Sequence, residues 1–313
     1  MEYTDQQLKD YASRIKLSAE KKSSYAGQID TLKANVLKAV KGMPNAKVTK
    51  VKQAGSWKKG TALTPKGDRA LDIDLVFFLE VEKFDAEELR KTIIDVLCAA
   101  YPNKSRDDFT DGKKTVGVVF RGTGLEVDIV PFVPDKGNST YGLQPRKKLN
   151  SGEFRTSVEK QLQFIKDIKG KSAGKFANFT AVVCILKTWR NYQELELPSF
   201  SIELVVAHLI CTKEIDSSTS IAQALVLCLG FLGRGSVSVY FSGAIGVESD
   251  DEPWIADPTN NENNTLNLSS EDWKEIVDSA LQGFETLSYA AVVAEAGKTL
   301  ELWKEVLGPN FSI

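Results

Sequence analysis

Histidine is almost absent from this chain: His208 is the only one in 313 residues. It follows Leu204-Val205-Val206-Ala207 on an apolar helical stretch with no visible acid–base partner, so it reads as a packed or half-buried structural group. Cysteine is sparse as well. Cys98, Cys184, Cys211 and Cys228 are widely spaced, sit in apolar surroundings and form no Cys-x-x-Cys pair. That pattern speaks against a disulfide or zinc framework and for reduced thiols in a core. No run approaches the roughly 20 apolar residues that cross a bilayer, and Met1-Glu2-Tyr3-Thr4-Asp5 lacks the apolar stretch of a secretion signal. The expectation is a soluble, cytoplasmic protein with no membrane partner. The Asn-x-Ser/Thr triplets at Asn103, Asn138, Asn178, Asn263, Asn267 and Asn310 are then chance matches. An excess of basic charge is also missing: 40 Lys and Arg against 42 Asp and Glu leave a formal charge of −2. Proteins that coat nucleic acid are usually basic overall, so any such contact here is local.

What is present is enough apolar material, 42% of the residues, for one large domain or two lobes. The first 42 residues read as helical, with Ile29, Leu32, Val36, Leu37 and Val40 at helical spacing and Gly42 as a stop. Residues 46–82 read as strand, loop, strand. A helix is expected over Glu87 to Tyr101. Strands follow over Thr115 to Phe120 and Leu125 to Phe132, joined by Arg121-Gly122-Thr123-Gly124 and ended by Pro131. Pro134, Gly137, Asn138, Gly142, Pro145, Asn150 and Gly152 mark a division, giving a mixed-sheet core over 1–150 and a helical lobe over 151–313. In the second part, helices are expected over Val158 to Ile168, Phe179 to Tyr192, Ser199 to Cys211, Ile221 to Leu232, Trp273 to Leu287 and Thr299 to Leu307. The acidic, Asn-rich 250–270 segment reads as loop.

The chemistry sits in Leu71-Asp72-Ile73-Asp74-Leu75-Val76-Phe77-Phe78-Leu79, preceded by Gly55-Ser56 and a Lys58-Lys59-Gly60-Thr61 loop. Side chains alternate along a strand, so Asp72 and Asp74 share a face. A third carboxylate, Asp128, lies in Leu125-Glu126-Val127-Asp128-Ile129-Val130. Charges flanked by core residues are costly without a compensating ion, and carboxylates paired with a phosphate-sized turn suit a divalent cation and a nucleoside triphosphate. Asp72 and Asp74 would hold two ions, and Asp128 the one beside the attacking hydroxyl. Gly55 lets backbone approach a phosphate, and Ser56 offers a hydroxyl and a neighbouring N–H. Lys58 and Lys59 are either solvated loop lysines or phosphate contacts. These residues imply metal-dependent nucleotidyl transfer.

The stretch Gly-Ser-Trp-Lys-Lys-Gly-Thr-Ala-Leu … Asp-Ile-Asp-Leu-Val-Phe-Phe-Leu resembles the opening motif of the family that includes oligoadenylate synthases, cyclic GMP-AMP synthase and the bacterial cyclic-oligonucleotide synthases of anti-phage defence. The likeness runs over about residues 50–265. Ile185-Leu186-Lys187-Thr188-Trp189 resembles the helix whose lysine meets the donor triphosphate. Leu197-Pro198-Ser199-Phe200 resembles the next helix start, where a polar residue meets phosphate and an aromatic stacks on the donor base. Trp254-Ile255-Ala256-Asp257-Pro258 is similar to a late Asp-Pro segment. Read from the residues alone, Lys187 in an apolar helix needs an anionic partner or a path to solvent. Ser199 is an N-cap, an anion site or both, Phe200 is a stacking platform or core, and Asp257 is structural. Lys171 and Lys175 read as exposed loop lysines.

The resemblance implies a bilobed α/β, polymerase-β-like nucleotidyltransferase core with a C-terminal helical lobe. It implies two Mg²⁺ ions, with Mn²⁺ able to substitute, and NTP substrates including ATP. The implied product is a cyclic di- or trinucleotide second messenger that activates an effector, and a regulatory protein is an expected partner. A linear oligoadenylate synthase and an RNA or tRNA nucleotidyltransferase remain alternatives. The chain departs from oligoadenylate synthases in the extra Pro65-Lys66-Gly67-Asp68-Arg69-Ala70. It has neither the Cys/His zinc cluster of animal cyclic GMP-AMP synthase nor a basic surface run, so activation by long duplex nucleic acid is not expected.

Overall fold

The helical start of the chain is two helices, not one. In a computed structural model, describing residues 3–41, 47–65, 71–82, 85–111, 115–120, 125–145, 153–170 and 176–313, α1 spans Asp5–Ile15 and α2 spans Ala19–Val40. Each has its own polar start. Thr4 caps α1 in a reciprocal pair with Gln7, and Ser18 accepts from the Lys21 N–H at the head of α2. The chain divides into two compact units: Met1–Lys16, Thr61–Leu63 and Gln163–Ile313 in one, Leu17–Gly60 and Thr64–Leu162 in the other. The sequence pattern grouped the first helix with the sheet. Its stripe of Leu8, Tyr11, Ala12 and Ile15 instead joins the core of the helical unit.

The sheet unit holds, in chain order after α2, β1 (Lys47–Gln53), α3 (Gly55–Lys59), β2 (Leu71–Glu80), α4 (Ala86–Ala100), β3 (Phe109–Asp111), β4 (Val116–Phe120), β5 (Leu125–Asp135), β6 (Asn138–Pro145) and β7 (Glu153–Thr156). The sheet order is β1-β2-β5-β4-β3, with β6 on β5 and β7 on β6. β2 and β5 run parallel, and the other pairings in this sheet are antiparallel, so the expectation of a mixed sheet holds. Leu71, Ile73, Leu75, Phe77 and Leu79 are all buried on one face of β2, each contributing about 1.5–3 kcal/mol of apolar burial. On the other face of the strand, Val76 and Phe78 pack with Phe132 and Val158, leaving Asp72 and Asp74 at its opening end.

Strand β5 does not stop at Pro131. The ladder to β4 ends at Ile129 and that to β6 begins at Val133, so at Pro131 only β2 is paired and a missing N–H costs little. The Pro/Gly/Asn-rich stretch that suggested a division is in part a hairpin, turning at Gly137 with φ of 92°. Gly42, the 121–124 turn, residues 66–70 of the extra segment, Lys171 and Lys175 lie outside the described residues.

After α5 (Val158–Ile168), whose first five residues belong to the sheet unit, the helical unit continues through α6 (Phe179–Tyr192), α7 (Ser199–Cys211), α8 (Ile221–Gly233), β8 (Ser238–Val239), β9 (Trp254–Asp257), β10 (Asn260–Asn264), α9 (Ser270–Val292) and α10 (Ala296–Leu307). Its core is contiguous, drawn from α1 and α5 to α10. The 250–270 segment, expected as loop, carries β9 and β10. Here side chains do what strand propensity does not: Asn261 is buried, accepts from the Phe241 N–H at 3.2 Å and donates to its carbonyl at 3.4 Å. Asp257, 2% exposed, accepts from the Thr259 N–H and hydroxyl, each at 2.8 Å, the structural role expected of it. Among the described residues no helix is long and apolar enough to cross a membrane.

Candidate active site

The parallel register sets the carboxylates side by side: Asp74 stands opposite Asp128, and Asp72 opposite Glu126. Alternation puts all four side chains on one face. Glu126 was not singled out in the sequence, although it lies two residues from Asp128 and shares its parity. The charges feel one another. Asp72 keeps contact with solvent, yet loss of hydration, then Asp74, Asp128 and Glu126, push its carboxyl up to about 8 from 3.8.

The turn before β2 is built against this group. The Ala54 N–H donates to the Asp74 carbonyl at 2.9 Å, continuing the β1–β2 ladder one step beyond Gln53 and Leu75. The chain then turns through Gly55 at φ of 61° into the single turn of α3, closed by Gly60 at φ of 71°. A Cβ on Gly55 would fall 1.5 Å from Oδ2 of Asp74, so the absent side chain makes room for a carboxylate in this structure. Ser56 and Lys59 are half-exposed, and Lys58 is exposed. The Lys22 ammonium lies 5.6 Å from the centre of the Trp57 ring and donates to the Trp57 carbonyl at 3.4 Å, holding α3 beside α2.

Lys187, Ser199 and Phe200 fall in the helical unit. The Lys187 side chain does not reach solvent, with 3% of it exposed. Its ammonium is 2.8 Å from Glu203 Oε1, 3.1 Å from the Thr61 hydroxyl and 3.3 Å from the Thr61 carbonyl. In this structure the ammonium is held in an ion pair with Glu203. Ser199 is the first residue of α7, after an N-cap at Pro198, and its hydroxyl accepts from Arg190 Nη2 at 3.2 Å. Arg190 also donates to the Leu197 carbonyl at 2.5 Å, placing a cation beside the head of α7 that sequence reading passed over. Phe200 is half-buried against the helical core.

Carboxylates are the donors that hard divalent cations take, and four like charges on one face are a donor set in need of a cation. Among the described residues, however, no three Asp, Glu, His or Cys side chains are gathered closely enough to hold an ion. The fit rests on register and charge, not on a formed cage.

A model of the Second Messenger Oligonucleotide or Dinucleotide Synthetase domain, SMODS, matches residues 1–164. A CBASS oligonucleotide cyclase, CdnC, of Escherichia coli strain KTE188 is 30% identical over 100% of this chain and 99% of its own length. This chain belongs to the SMODS family. It is therefore a metal-dependent nucleotidyltransferase that makes a cyclic oligonucleotide in anti-phage defence. A cyclic AMP-AMP-AMP synthase of E. coli strain MS 115-1 is 27% identical over 95% of this chain and 94% of its own. The structure of E. coli MS115-1 CdnC with ATP matches with a TM-score of 0.81, 26% identity and coverage of 99% of both chains. Vibrio cholerae DncV, at 14% identity and a TM-score of 0.67 over 97% of this chain and 95% of its own, shares the fold of this SMODS protein.

Proposed function

We propose that this SMODS protein joins ribonucleoside triphosphates, ATP among them, into a cyclic di- or trinucleotide. The observation that carries the site assignment is the register of Asp74 on Asp128 and Asp72 on Glu126 beside the Gly55-Ser56 turn. Asp72, Asp74 and Asp128 are the ligands for two Mg²⁺ ions, with Mn²⁺ as a substitute. When bound, such ions polarise phosphoryl oxygens and offset the charge of the leaving group.

The chain's own residues orient the reactants. The Ser56 hydroxyl and backbone meet the β- and γ-oxygens, and Lys59 adds charge at the end of the turn. Ser199, with Arg190 beside it, is a second polar contact for phosphate, and Phe200 is the aromatic for the base. A ribose hydroxyl forms a bond to the α-phosphorus as the bond to the bridging oxygen breaks. Pyrophosphate leaves, and the hydroxyl proton passes to the Asp128 carboxylate. Repetition with ring closure completes the product. The name of the cyclic AMP-AMP-AMP synthase and the ATP complex of CdnC support adenine nucleotides. The CdnC:HORMA complex from E. coli MS115-1, 25% identical to this chain, supports a regulatory protein partner. The product would act on a nucleotide-activated effector in the cytoplasm.

The test incubates the protein with NTPs labelled at the α-phosphate and Mg²⁺ or Mn²⁺, then treats the products with phosphatase. Labelled, phosphatase-resistant product that disappears in the Asp72→Ala/Asp74→Ala variant is expected. Activity surviving that double substitution would sink the assignment of the aspartates.

A further inference from the structure

Lys187 and Glu203 bring opposite charges into the helical unit with side chains 3% and 0% exposed. A buried ion pair is weak evidence for stability, because apolar residues of similar size do as well or better. Both partners converge on Thr61, itself 0% exposed. The Thr61 hydroxyl donates to Glu203 Oε1 at 2.5 Å and accepts from Lys187 Nζ at 3.1 Å, while its carbonyl accepts from the same ammonium at 3.3 Å. Two residues on, Leu63 forms a bridge to Lys16.

Thr61 follows directly on the turn that carries Ser56. A helix of five residues has little stability of its own, so α3 depends on how its ends are held. Its N-terminal end is fixed by the Ala54 N–H on the Asp74 carbonyl. At its other end Gly60 donates to the carbonyls of Ser56 and Trp57, and the next residue is Thr61.

We propose that Lys187 and Glu203 are positioning residues: by gripping Thr61 they fix the C-terminal end of the Gly55–Lys59 turn and hold the Ser56 hydroxyl in place for the triphosphate. The inference rests on the reading that Ser56 meets the β- and γ-oxygens. It replaces a direct phosphate contact for Lys187 with an indirect one, transmitted through the backbone.

The test measures affinity of the full chain, with Mg²⁺, for a non-hydrolysable ATP analogue and for AMP, which lacks the outer phosphates. Thr61→Val removes the hydroxyl, keeps the shape and leaves Lys187 and Glu203 in place. It is expected to weaken the analogue about tenfold, the scale of one lost hydrogen bond, with AMP unchanged and Thr61→Ser restoring binding. The Lys187→Met/Glu203→Leu variant is expected to melt no lower than the parent and to show the same triphosphate-selective loss. Parent-like binding in Thr61→Val overturns the inference, and a loss confined to Lys187→Met/Glu203→Leu means that the ammonium meets phosphate itself. Ser56→Ala separates the two levels. If it weakens the analogue while Thr61→Val does not, only the anchor falls; if neither does, the reading of the turn falls too.

Discussion

Oδ2 of Asp74 occupies the place where a side chain on Gly55 would begin, 1.5 Å from the Cβ position. Gly55 also sits at φ of 61°, where an L-residue pays about 1–2 kcal/mol. Gly55→Ala therefore strains the turn and displaces a carboxylate at the same time. The expected outcome is a lower unfolding midpoint, reflecting at least that loss of stability, together with a loss of product formation. Scanning calorimetry and labelled-NTP turnover on one preparation check it; normal turnover would show that Asp74 is free to move.

Carboxylates crowded for function should cost stability. Asp72→Asn keeps the shape and, at pH 9, above the value of about 8 at which Asp72 ionises, removes one of four like charges facing each other across β2 and β5; it is expected to raise the metal-free unfolding midpoint at that pH. The same substitution should cut product formation by at least about a hundredfold, the scale of losing one charge contact to a transition state. Opposite movement of the two quantities marks a site built against stability; a parallel loss would make Asp72 a structural residue.

Much of this site was legible because the sequence pattern that buries one face of a strand exposes the other. Ile73 and Leu75 fix the parity of β2, and Val127 and Ile129 fix that of β5, so the shared face of Asp72, Asp74 and Asp128 follows. The pairing itself did not follow, because nothing local states that Asp74 meets Asp128. Long-range partners were equally silent. Lys187 plainly needed an anion, but Glu203 and Thr61 lie 16 and 126 residues away in the chain, and only the fold brings them to one ammonium. The helices over Phe179–Tyr192 and Ser199–Cys211 were readable to the residue, since apolar content and the Pro198 start agree.

The raised pKa of Asp72 gives the metal-free protein a pH dependence of definite sign. A carboxyl that titrates at about 8 in the folded chain, against 3.8 ordinarily, holds its proton more tightly when folded. Its contribution to stability is complete below the ordinary value and is lost as pH rises through about 8. Melting temperature in a chelator is therefore expected to fall between pH 6 and pH 9. Saturating Mg²⁺ should flatten that slope, because a cation offsets the charge that deprotonation creates. Binding of Mg²⁺ at pH 7 should release protons, seen as a heat that scales with the ionisation enthalpy of the buffer. A flat metal-free profile would count against the crowding of these carboxylates.

The strand Asn260–Asn264 was read as loop because asparagine has little strand propensity. Here the amide side chains supply bonds that the backbone lacks. Asn261, 8% exposed, serves both the N–H and the carbonyl of Phe241. Asn261→Leu keeps the volume but takes the Asn261 acceptor from the Phe241 N–H, whose carbonyl still accepts from the Ala244 N–H at 3.3 Å, at a cost of about 1–3 kcal/mol. Glu262, exposed on the same strand, is the control: Glu262→Ala should stay within about 0.5 kcal/mol of the parent. Urea unfolding distinguishes them, with a lower midpoint and an unchanged slope expected for Asn261→Leu. Equal midpoints for the two variants would mean that the apolar core around Phe241 and Ile255, and not the asparagine bonds, holds this hairpin together.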